Sequence, residues 1–75
     1  MTIYDLLYVM DNMPYDVVIF NDAFIDGGGK HEVIRGDVSD ITSSDEYDDL
    51  QYEDVTDVFT DDDGTMYICF NNEDY

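Results

Sequence analysis

Seventy-five residues carry twenty Asp and Glu against one Lys and one Arg, a formal charge of −18. A phosphate backbone is bound through Lys and Arg, so direct contact with nucleic acid is excluded, and contact with an anionic membrane surface falls with it. With 44% apolar residues, seven Tyr and four Phe, the chain is too rich in core-forming side chains for an acidic disordered tail, and residues 1–75 read as one domain that buries only about 60% of its unfolded surface.

The first element is a helix. Thr2 stands as N-cap with Asp5 in the favourable first turn. Ile3, Leu6, Leu7 and Met10 share one buried face, and Pro14 closes the segment. Tyr15 to Phe20 is a β-rich run and reads as the first strand. Gly27, Gly28 and Gly29 supply a flexible connection. His31 to Arg35 returns as the second strand and completes a hairpin.

After Gly36 the pattern weakens. Val38 and Ile41 can plug the core from a short helical turn. Ser43 and Glu46 have capping-box spacing, with Tyr47 and Leu50 giving one apolar turn. Asp54 to Thr60 and Thr65 to Phe70 flank Asp61-Asp62-Asp63-Gly64, and an Asp-Gly pair between β-rich runs signals a hairpin. Residues 71–75 are expected to fray. The fold class is α+β: an N-terminal helix packed on a small, mostly antiparallel four-stranded sheet, in the order helix, hairpin, short helix, hairpin. Leu6, Leu7, Val17, Ile19, Val33, Val58 and Ile68 are the expected core.

Chemistry is sparsely encoded. His31 is the only histidine and Cys69 the only cysteine. Cys69 lies in an apolar run, where it packs as a small hydrophobe. Gly27 to Lys30 resembles part of a phosphate loop, but the positions that need Gly and Ser/Thr hold Phe24 and His31. With Gly64 at the central glycine of a calcium loop, Asp61 and Asp63 fall in place, but Phe59 and Phe70 stand where the first and last acids belong. An enzyme is not expected, nor a cofactor or dedicated metal site. The N-terminus lacks the basic and unbroken apolar regions of a signal peptide, and no run has the length of a membrane span. A cytoplasmic location is expected.

The strongest functional feature is the stretch from Asp45 to Asp63. Asp45, Glu46, Asp48, Asp49, Glu53, Asp54, Asp57, Asp61, Asp62 and Asp63 are half of all the acids in a quarter of the chain. Tyr47 and Tyr52 interrupt them and offer the amphipathic contact area enriched at interfaces. These twelve residues are the candidate partner-binding set. Carboxylates two apart on a strand repeat at about 6.8 Å, a scale comparable with the charge repeat of a nucleic-acid strand. The natural partner is a basic protein surface.

Met1-Thr2-Ile3-Tyr4-Asp5-Leu6-Leu7, Tyr15 to Phe20, Asp26 to Gly29, Asp63-Gly64 and Met66 to Phe70 together resemble a group of small phage and prophage proteins of Gram-positive bacteria. This chain is more acidic than ordinary members, and its acidity resembles phage-encoded DNA mimics, including anti-CRISPR proteins. The resemblance implies an inhibitor at work in a bacterial host cell. It would occupy the cationic DNA channel or the PAM-reading site of a nuclease, where carboxylates replace the acceptors that Arg side chains read. The alternatives are a phage accessory protein with a solvated acidic surface, or a weak divalent-cation binder.

Overall fold

A computed structural model describes residues 1–10, 16–23 and 31–74, with His31 described by its backbone alone. Helix α1 spans Ile3–Val9. Its start is a reciprocal cap: the Asp5 N–H donates to Thr2 Oγ1 at 3.2 Å, and the Thr2 N–H donates to Asp5 Oδ2 at 3.1 Å. Strand β1 spans Val17–Asn21 and β2 His31–Gly36. Helices α2 (Val38–Thr42) and α3 (Tyr47–Leu50) follow, then strands β3 (Val55–Thr60) and β4 (Met66–Phe70). The glycine connection, Pro14 and Tyr15 lie outside the described residues.

The α+β class holds, with a four-stranded sheet in the order β2-β1-β4-β3. The sheet is mixed. Both hairpin pairings are antiparallel, but the central pair, β1 with β4, runs parallel with Ile19 opposite Ile68. The physical cause is the route of the chain. After β2 it crosses one face of the sheet through α2 and α3 and lays β3 on the far edge, so β4 returns into the gap beside β1 in the same direction.

Strand β1 is buried at every position. Val17, Ile19 and Asn21 alternate with Val18 and Phe20. Val17 and Ile19 join Ile68, Phe70 and the buried residues of the three helices in the main core, while Val18 and Phe20 join Cys69 on the opposite face. A strand covered on both faces reads as an unbroken apolar run, which is the pattern of residues 17–20.

Of the expected core, Leu7, Val17, Ile19 and Ile68 are buried, while Leu6 and Val33 sit half-buried at its margin. Val58 is corrected: it is 40% exposed, because β3 is an edge strand beyond the cover of the helices. The capping box at Ser43 is also corrected. Ser43 caps the C-terminus of α2, and α3 starts at Tyr47 after the N-cap position Glu46, with no side-chain cap bond. The cap that forms instead is Asp37, whose Oδ1 accepts the Asp40 N–H at 2.7 Å.

After β4 the chain is tied to the sheet at Asn72. Asn21 is fully buried. Its Nδ2 donates to the Asn72 carbonyl at 2.7 Å, and its Oδ1 accepts the N–H groups of Asn72 at 3.0 Å and Ala23 at 3.1 Å. Asn72 Nδ2 in turn donates to Glu53 Oε2 at 2.8 Å. Asn21→Ala strands these partners, and an unsatisfied buried group costs about 1–3 kcal/mol. The expected result is a lower denaturant midpoint together with faster amide exchange at Asn72. Unchanged exchange there would refute the tether.

Candidate protein-binding surface

The acidic run divides over two structural regions. Residues 45–54 hold the turn before α3, α3 itself and the approach to β3. This region is stitched to the start of α1: the Ile3 and Tyr4 N–H groups donate to the carbonyls of Glu53 and Gln51, and the Val55 N–H donates to the Met1 carbonyl. Residues 57–63 run along the edge strand β3 to the tip of the β3–β4 hairpin. Strand β3, six residues long, extends the second region over roughly 20 Å.

Nine of the twelve expected contact residues are exposed: Asp45, Glu46, Asp48, Asp49, Tyr52, Asp54, Asp57, Asp62 and Asp63. Tyr52 is 76% exposed and is the most open of the run's aromatics. Tyr47 is corrected, because its ring is buried at 8% exposure in the main core, where burial pushes its hydroxyl pKa up. The α3 turn points Tyr47 and Leu50 inward together, as an i, i+3 pair must. Glu53 and Asp61 are half-buried and bonded within the protein.

Asp61 organises the hairpin tip. Its Oδ1 accepts the N–H groups of Asp63 at 2.9 Å and Thr65 at 3.0 Å, and its Oδ2 accepts the Tyr67 hydroxyl at 3.2 Å. Gly64, at φ 86°, supplies the left-handed turn that the Asp-Gly pair signalled. The carboxylate once considered for a cation is therefore spent on the turn. Among the described residues no three His, Cys, Asp or Glu side chains converge as metal ligands.

Desolvation pushes the Asp61 carboxyl up, but the hydrogen bonds from Thr65, Asp63, Tyr67 and Gly64 together outweigh it and hold it below its ordinary 3.8. The same bond to Asp61, with desolvation, lifts Tyr67 above its ordinary 10.0. A depressed carboxyl adds stability above its unfolded value and loses it as pH falls through the folded value; a raised phenol adds stability below its unfolded value and loses it as pH rises. The hairpin tip is thus expected to be firmest between these limits. In Asp61→Asn the Tyr67 titration, followed by ultraviolet absorbance, should move back toward 10.0. An unmoved titration would refute the bond.

The charge is barely compensated. Arg35, the one described Lys or Arg, pairs with Glu32 at 2.9 Å on the opposite side of the sheet from the main core. Neither cation of the chain falls within 45–63.

Two aromatic groups escaped the sequence reading. On the second face of the sheet, Phe59 and Tyr67 stack at 5.0 Å with Phe20 edge-on to both. On α1, Tyr4 and Tyr8 stand outward. The signal for the second was present: Ile3–Val9 reads IYDLLYV, with Asp5 its one charged residue, and a helix apolar all round needs cover on both sides.

No family model matches the chain, and no curated protein or solved structure matches it either. No helix among the described residues is long and apolar enough to cross a membrane.

Proposed function

We propose that the protein is a phage-encoded inhibitor that mimics DNA and blocks the cationic DNA-binding or PAM-reading site of a host-defence nuclease, with a CRISPR effector as the target. The observation that carries this reading is the exposed carboxylates of residues 45–63, an acidic track carried by α3, the edge strand β3 and the tip of its hairpin. Asp48, Asp49, Asp57 and Asp62 are exposed along it. Carboxylates pair with guanidinium groups in charge-assisted, often bidentate bonds, which suits a site that reads guanine edges through Arg. The exposed Tyr52 adds a rigid contact at its side.

The test is a cleavage assay with guide-loaded RNA-guided DNA nucleases, in which protein, DNA and salt are varied in turn. The expected result is inhibition that weakens as DNA is raised and falls steeply with salt, as exposed charge contacts do. Full cleavage by every nuclease of the panel at micromolar protein would overturn the reading.

A further inference from the structure

We propose that the outer face of α1 is a second contact surface, a tyrosine ridge that docks a cationic protein segment carrying apolar side chains beside its Lys and Arg. The inference rests on the reading of a basic partner and adds to it a site that the acidic run does not contain.

Helix α1 buries Ile3 and Leu7, and leaves Tyr4, Tyr8 and Val9 at 48%, 71% and 69% exposure, with Met1 before it at 71%. Tyr4 and Tyr8, one turn apart, stack with ring centroids 6.0 Å apart. A hollow lies on each side of this pair. One, about 200 Å³, is lined by Tyr4, Leu7, Tyr8, Thr42 and Tyr47, so it runs between α1 and the α2–α3 segment. The other is lined by Met1, Tyr4, Asp5, Tyr8 and Val9. A continuous apolar surface of this kind on a chain so acidic marks an interaction site.

Charge chooses the occupant. A second copy would bring −18 against −18. An anionic lipid surface or a nucleic acid meets the same repulsion. None of the three helices carries a base in its last turn, and all carry acids in the first. Asp48 and Asp49 follow Tyr47 on α3 and are exposed. A guanidinium or ammonium gains from the face of a tyrosine ring and from the Asp5 carboxylate that lines the outer hollow. The alkyl stems of Lys and Arg, and neighbouring apolar side chains, fill the hollows. Exposed tyrosines of this sort become the anchors of protein interfaces once a partner covers them.

The test uses two synthetic probes of equal charge: an amphipathic helical peptide of Leu and Lys, and oligolysine. The chain has no Trp, so tyrosine fluorescence reports binding. The wild type should bind the amphipathic peptide about tenfold more tightly than oligolysine. Y4S/Y8S, checked for folding by circular dichroism, should lose that preference, its binding of the amphipathic peptide falling further than its binding of oligolysine. A preference retained by Y4S/Y8S, or absent from the wild type, would overturn the ridge. So would a tyrosine-dependent dimer seen by sedimentation. Nuclease inhibition is scored separately. A tyrosine-dependent preference without inhibition supports the ridge and removes the inhibitor, while inhibition without the preference does the reverse.

Discussion

Phe70→Ala is expected to lower the melting temperature by about 15–30 °C and to leave a substantial unfolded fraction under ordinary conditions. Phe70 is fully buried. It ends β4, opposite Asn21 on one side and Val55 on the other, and belongs to the main core with residues from all three helices. Removing a buried Phe side chain costs about 3–5 kcal/mol. A domain of this length holds roughly 4–11 kcal/mol in total, and self-repulsion at −18 lowers that figure. Phe70→Leu, which keeps most of the volume, should retain the fold. Thermal unfolding by circular dichroism checks both variants. A shift below about 5 °C in Phe70→Ala would place Phe70 outside the core.

Charge reversal at Asp48, Asp49, Asp57 and Asp62 to Lys should weaken inhibition of the target nuclease about 100-fold or more. Each exposed ion pair is worth about 0.2–1 kcal/mol, and reversal removes an attraction and adds a repulsion at each position. Four positions together come to about 1.6–8 kcal/mol, most of which lies above the 2.8 kcal/mol or so that a 100-fold change requires. Reversal at Asp16, Asp40, Glu73 and Asp74, also exposed but outside the track, changes the net charge equally and should cost much less. Equal losses would show that bulk charge alone acts. Full inhibition by the first variant would remove the track from the contact surface.

Local signals were readable in the sequence wherever the cause was local. Thr2 with Asp5, the Asp-Gly turn at Gly64 and the paired apolar residues Val38 and Ile41 each need only their neighbours to act. Position in the sheet was not readable in this way. Val58 lies in a β-rich run much like that around Ile68, and only strand order makes one an edge residue and the other a core residue. Tyr47 has the composition of an interface residue, and its inward turn follows from where α3 lands on α1. The role of Asn21 depends on Asn72, fifty-one positions later, and a polar residue at the end of a strand gives no hint of such a partner. Eight of the ten acids of the run are exposed, because a carboxylate is costly to take out of water. The two half-buried ones, Glu53 and Asp61, are bonded to Asn72 and to the hairpin tip.

The parallel pairing of β1 with β4 also bears on how the chain is made. Val17 lies beside Met66 in the register, so the middle of the sheet joins residues almost fifty positions apart. A ribosome releases β1 and β2 early, but that hairpin alone is marginal in water and the inner edge of β1 stays open until the last strand emerges. Folding is thus postponed until β4 has been made, a delay that follows from distant parallel contacts. In the interval Val17 to Phe20 is an exposed apolar strand, the kind of segment that aggregates. The same chain's charge of −18 opposes that association, because like-charged copies repel until β4 closes the gap.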